Sequence, residues 1–206
     1  VKEYVAMGFH IYATSGTASR LNSVGISSTL VKKPKEAKEG EKLMQGIFGP
    51  SFDYYAIRER RRELVRERLA QYGLEKKPGV EETLRFLRAK GIKTAVATAT
   101  ALDITKSHLT TIGVCDLFDS IVSAKNVAHG KPEPDVYLYA CEQIGERPQD
   151  CMAVEDSPNG IMAAYRAGLR TVMVPDLTQP DEELTKYLYA CVNSLSDLCE
   201  LVDKED

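Results

Sequence analysis

The stretch Val154–Gly168, VEDSPNGIMAAYRAG, decides how the rest of this chain is read. Just before and into it, Cys151–Val154 is a short apolar run of the length of a buried strand. Two acids follow, Glu155 and Asp156. Ser157 then stands as an N-cap, Pro158 occupies the first helical position, and Gly168 lies past the helix end. Thr171–Val174 supplies the next apolar run. A strand that ends in paired carboxylates, turns into a helix and returns as a strand is the repeating unit of a parallel sheet.

Toward the N-terminus the same alternation recurs. Pro78 and Gly79 open a helix striped by Val80, Leu84 and Leu87 and ended by Gly91. Ile92–Ala97 reads as a strand. Ile104, His108 and Ile112 mark a helical face closed by Gly113, and Phe118–Val122 is a further strand. Pro132–Ile144 reads as a helix with Val136, Ala140 and Ile144 inward, ended by Gly145. Strands separated by helices predict an α/β fold, a Rossmann-like three-layer parallel sheet covered on both faces. Right-handed crossovers bring every strand's C-terminal end to one edge.

That edge collects the chemistry. Thr98 follows Ile92–Ala97, Lys131 begins a helix after a loop, and Glu155 and Asp156 follow Cys151–Val154. Open parallel sheets bind ligands there. A hydroxyl, an ammonium and two acids suit a phosphoryl group: cationic neutralisation, a positioning donor and carboxylates for magnesium. Neighbouring acids repel each other unless a cation or donors compensate, so a metal is one reason for the pair. Each residue also has a plain structural meaning, as a turn threonine, an exposed lysine or capping acids. The ordered combination at matching strand ends favours a site.

The segments ATATA (97–101), HGKPEPDVY (129–137) and VEDSPNGIMAAYRAG resemble the second, third and fourth motifs of the haloacid dehalogenase (HAD)-like hydrolases. The branch is that of the phosphatases and β-phosphoglucomutases with a helical cap, and the likeness covers residues 47–185. It implies that Thr98 binds the phosphoryl group and that Lys131 neutralises it and orients a nucleophile. It implies further that Asp156, with Glu155, ligates magnesium, and that Ser157 and Asn159 lie in the supporting loop. The implied partner is a small phosphorylated metabolite, and the implied reaction is phosphate monoester hydrolysis or sugar-phosphate isomerisation. The family opens with a strand followed by Asp-x-Asp, whose first aspartate is the nucleophile. No Asp-x-Asp occurs here; Asp53 is the only aspartate before Asp103 and follows no strand pattern. No nucleophile is assigned, and catalysis is expected to be impaired.

The front has its own likeness. GFHIYATSGTASRLNSVGI (8–26), with VKKPKEA (31–37), resembles a piece of the methylglyoxal synthase-like domain of carbamoyl phosphate synthase large chains. The resemblance implies phosphate contacts at Thr14, Ser15, Gly16 and Thr17. In the residues themselves Gly8–Ala13 is strand-like, Ala18–Val24 helical and Ile26–Val31 a second strand, while the lysine- and glutamate-rich Lys32–Gly46 reads as a linker. Ile57–Tyr72 reads as a long helix with Ile57, Leu64, Val65, Leu69 and Tyr72 on one side. The expected organisation is a βαβ fragment at 1–40, a linker and partial helical cap at 41–77, and the core at 78–206. Because the first strand of a HAD-like sheet is central, Gly8–Ala13 is expected to take its place. Two other readings stand beside the enzyme: a non-catalytic phosphate-ligand binder, and a junction of two gene fragments without evolved function.

Composition excludes several classes. At 206 residues and 43% hydrophobic, with no apolar run near 18, nothing predicts a membrane span. A net charge of −3 gives no reason to expect nucleic acid. Arg58–Arg68 holds six arginines, but Glu59, Glu63 and Glu67 interleave with them, as on a solvated helix face. Five cysteines without a C-x-x-C pair suit reduced thiols and a cytoplasmic location. The three histidines show no ligand spacing; His108 falls on an apolar face and His129 alone lies near the proposed site. No signal segment opens the chain, and it begins with Val, as an upstream portion or a non-standard start codon would leave it. Substrate and oligomeric state stay open.

Overall fold

The computed structural model describes residues 1–13, 15–31 and 37–204, with backbone alone at 4, 15, 16, 19, 20 and 37. The chain forms two compact units, Val1–Gly73 and Leu74–Asp206.

The first unit begins with α1 (Lys2–Ala6), then β1 (Tyr12–Ala13), α2 (Ser15–Ser23) and β2 (Thr29–Leu30). β1 and β2 pair in parallel, Tyr12 opposite Thr29 and Ala13 opposite Leu30, and His10 Nε2 lies 2.7 Å from Thr29 Oγ1. The sequence places Gly8–Ala13 in the main sheet; the structure pairs it with β2 instead. The physical reason is local. A parallel crossover through α2 already supplies the strand's backbone partner, and only Tyr12–Ala13 of the stretch is strand, after the turn at Gly8, whose φ is +85°.

The predicted linker is another correction. Residues 32–36 lie outside the described residues, but α3 spans Ala37–Phe48. Lysine and glutamate are good helix formers, and Leu43, Met44 and Ile47 make the half-buried stripe. α4 (Tyr54–Tyr72) starts where Asp53 Oδ1 accepts from Ala56 N at 2.8 Å, so this aspartate is a helix cap. Arg60 pairs with Glu63 and Glu67, and Arg62 and Arg66 with Glu59, all exposed. None of the residues of α4 is buried, so its predicted apolar side has no core beneath it.

The second unit carries the alternation: α5 (Val80–Ala89), β3 (Ala95–Thr98), α6 (Leu102–Thr111), β4 (Ser120–Ser123), α7 (Asp135–Ile144), β5 (Met152–Glu155), α8 (Pro158–Arg166) and β6 (Arg170–Met173). α9 (Glu182–Thr185), β7 (Ala190–Cys191) and α10 (Leu195–Asp203) follow. β3 pairs with β4, and β5 with β6 and then β7, all in parallel. Strand ends differ from the sequence expectation by one to three residues, which makes Thr98 and Glu155 the last residues of their strands. One inward face also differs. On α6 the buried residue is Thr105, whereas Ile104 is exposed and His108 half-buried.

The core lies against α7 and α8, where Val136, Ala163 and Ala164 have no exposed surface, and beside β6, where Ile161 and Met173 are equally buried. The alanines of α8 let that helix sit close on the sheet. α10 packs on α5, tied by the Thr83 hydroxyl, which donates to Leu195 O at 2.9 Å. No described helix is long and apolar enough to cross a membrane.

Candidate functional site

The expected rim residues come together at the C-terminal ends of β3 and β5. Lys131 lies in the loop before α7. Its ammonium donates to Ala97 O at 3.0 Å, to Tyr137 Oη at 3.2 Å and to Glu155 Oε1 at short range. Thr98 is therefore one residue from a carbonyl that Lys131 holds. Its hydroxyl accepts from Thr100 N at 3.1 Å. Ser123, opposite Thr98 in the β3–β4 register and fully buried, donates to Thr100 O and fixes that turn.

Glu155 is surrounded. Its Oε1 accepts from Lys131 and from the Tyr137 hydroxyl, its Oε2 accepts from Ser157 Oγ at 3.2 Å, and its side chain is only 8% exposed against 17% for Lys131. A Cβ at Gly160 would collide with this carboxylate, so any side chain there would force Glu155 to shift. Ser157 also caps α8 by accepting from Gly160 N at 3.2 Å, as the sequence predicts. Burial in the first place, and the Glu155 charge in the second, raise the Tyr137 phenol well above its usual pKa. It remains a protonated donor. Tyr137 is the residue that sequence reasoning missed. A tyrosine six positions after Lys131, on the inward stripe of α7, was the available signal, because a buried phenol seeks a partner.

The other expected residues are less engaged. Asp156 is exposed just past β5, and Asn159 is exposed on the first turn of α8. His129 turns to Asp135, its Nδ1 3.1 Å and its backbone N 3.0 Å from Oδ2, and does not bond Lys131. Thr14 lies outside the described residues, as does the side chain of Ser15; Gly16 is described by its backbone on α2, and Thr17 is exposed there.

Electrostatically, one ammonium faces two carboxylates, so the rim is net negative. A phosphate dianion therefore needs added positive charge to settle there. No group of three or more His, Cys, Asp or Glu side chains able to hold a metal occurs among the described residues. Glu155 spends its oxygens on Lys131, Tyr137 and Ser157, leaving Asp156 as the available carboxylate. This set fits a cation held partly by its substrate and water, not a preformed protein cage.

Fold and rim together define a parallel α/β protein whose reactive groups stand at the carboxyl ends of β3 and β5. Residues 30–174 match the family model described as haloacid dehalogenase-like hydrolase, and the chain belongs to that family. Among curated relatives it is 33% identical over 128 residues to hexitol phosphatase B of Escherichia coli, covering 62% of this chain and 56% of the relative. It is 38% identical over 109 residues to the protein CbbY of Rhodobacter capsulatus, covering 51% and 48%. The chain thus spans about half the length of these relatives. Among solved structures, a HAD family hydrolase from Deinococcus radiodurans with bound phosphate and sodium superposes with a TM-score of 0.64 at 25% identity, covering 91% of this chain and 86% of that one. β-Phosphoglucomutase from Clostridium difficile gives a TM-score of 0.63 at 20% identity, covering 92% and 86%. The latter likeness concerns the fold alone.

Proposed function

We propose that this chain recognises the phosphoryl group of a small phosphorylated metabolite at the Thr98–Lys131 rim, with magnesium contributed through Asp156, and that as a 206-residue chain it does not turn phosphate monoesters over. The observation that carries this is the engagement of Lys131. The ammonium that a nucleophilic carboxylate would share is instead closed onto Glu155 and Ala97 O. Phosphate monoester hydrolysis has an uncatalysed barrier so high that enzymes accelerate it by up to ~10²¹-fold. A rim with no assigned nucleophile lacks the covalent route over it. The Thr98 hydroxyl, turned by the Ser123-braced loop, would donate to a phosphate oxygen. Magnesium, when bound, would supply the positive charge that the two carboxylates cancel. The phosphatase names of the relatives support the ligand class.

Calorimetry with inorganic phosphate tests this. Saturable binding is expected with magnesium and not without it. Thr98→Val and Asp156→Asn should each weaken it at least about tenfold, the scale of one hydrogen bond to a charged group. Binding that ignores both substitutions would place the ligand elsewhere.

For the front unit we keep the methylglyoxal synthase-like reading as a proposal. The parallel β1–α2–β2 crossover supports it, and a Thr17→Val variant with unchanged phosphate binding would remove it from the ligand site.

A further inference from the structure

We infer that Arg166, the last residue of α8, is a positioning residue for Lys131. Its Nη1 donates to Pro132 O at 3.1 Å and to Glu133 Oε1 at 3.1 Å. Both bonds therefore land on the residues that directly follow Lys131. α8 works at both of its ends. At its N-cap, Ser157 Oγ donates to Glu155 Oε2 at 3.2 Å and accepts from Gly160 N. At its last turn, Arg166 holds the loop that carries the cation for that same carboxylate.

The loop shapes itself but does not anchor itself. Glu133 N donates to Gly130 O at 3.1 Å, and Asp135 Oδ2 accepts from His129 N at 3.0 Å. Those bonds stay within the loop and the start of α7. Among the described residues, Arg166 is the one group outside residues 129–144 that bonds the backbone of 129–134. Lysine carries its ammonium on a flexible four-carbon stem, so the placement of the charge follows the anchoring of the backbone. Lys131 has little slack: its side chain is 17% exposed, and the ammonium meets Ala97 O at 3.0 Å and Tyr137 Oη at 3.2 Å. Good hydrogen bonds from nitrogen end near about 3.2 Å, so a small shift of the loop loses these contacts.

The two Arg166 bonds differ in weight. The side chains of Arg166 and Glu133 are 43% and 51% exposed, and ion pairs open to water contribute little. The contact on Pro132 O is the one that fixes backbone, and it is assisted by the guanidinium charge. Among the described residues Arg166 bonds none of Thr98, Glu155 or Asp156, so its effect passes through Lys131. The consequence for ligand affinity rests on the phosphate reading of the rim; the placement of Lys131 does not.

Acetylation of the whole chain by an N-hydroxysuccinimide ester, read by mass spectrometry at each lysine, tests the placement. Lys93 is the internal reference, because its ammonium is bonded to Ile144 O at 2.8 Å and Glu146 Oε1 at 2.7 Å. Arg166→Met should speed labelling of Lys131 about threefold or more, the factor carried by one hydrogen bond of ordinary net strength, with Lys93 unchanged. Glu133→Gln keeps the bond to Pro132 O and should leave both rates as they are. An unchanged Lys131 rate in Arg166→Met, a rise at Lys131 and Lys93 together, or an equal rise in Glu133→Gln would each overturn the inference. Calorimetry with inorganic phosphate and magnesium gives the second arm, in which Arg166→Met should weaken binding about threefold or more. Weakened binding with Lys131 labelling unchanged would also overturn it, by making Arg166 a direct contact. If the unsubstituted chain binds no phosphate, the phosphate reading falls, and the labelling arm still decides the role of Arg166.

Discussion

The two units solve the same problem with very different success. In Leu74–Asp206 the helices α7 and α8 find a sheet to cover, and Ile161, Val136 and Val172 lose all their surface. In Val1–Gly73 the long helix α4 leaves Ile57, Leu64, Val65 and Tyr72 about half or more exposed, and its strands are two residues each. The contrast shows that an amphipathic pattern states a demand for a partner, and only the surrounding topology answers it. α4 is held instead by its cap, by Arg–Glu pairs on its surface and by arginine stacking on Tyr54 and Tyr72, which contribute little individually.

Substitutions should sort the units by size of effect. Lys131→Ala leaves Glu155 buried without its cation and should cost about 3–5 kcal/mol in urea unfolding. The double change Lys131→Met with Glu155→Gln should recover a large part of that loss, a coupling that a purely steric role for Lys131 would not produce. Ile161→Ala should cost about 2–5 kcal/mol by opening a cavity where no surface is exposed. Gly160→Ala pushes a methyl into the Glu155 carboxylate and should cost roughly 1–3 kcal/mol. Leu64→Ala on α4 should fall within about 0.5 kcal/mol of zero. A loss there as large as at Ile161 would mean that α4 covers apolar surface after all.

Acidity sharpens the same contrast from the side of the core. Burial, then its neighbour Cys151, pushes the Cys141 thiol from an ordinary 9.0 up to about 12. A raised folded pKa gives stability that is whole below the unfolded value and lost as pH rises toward the folded one. Unfolding free energy should therefore fall between about pH 9 and 12, and Cys141→Ser should flatten that fall.

Much of the second unit was legible in the residues. Proline and glycine at 158 and 168 bracket α8, and the apolar runs mark four strands to within a few positions. Their order also placed Thr98, Lys131 and Glu155 on one rim. Three things were not legible. α3 was hidden because its lysines and glutamates serve a helix surface as well as they serve a linker. Pairing of β1 was misplaced because strand partners depend on three-dimensional supply, not on local pattern. The inward role of Glu155 was invisible for a related reason. Adjacent acids look equivalent in sequence, yet β-strand alternation and the absence of a side chain at Gly160 fold one of them onto Lys131 and leave Asp156 outside.

Hydrolysis of a generic aryl phosphate by this 206-residue chain, with and without magnesium, tests the central claim most directly. With Lys131 closed onto Glu155 and no nucleophile assigned, we expect no release of the aryl alcohol above buffer under either condition. Magnesium-dependent turnover that Asp156→Asn removes would contradict that expectation and show that the rim is catalytically whole.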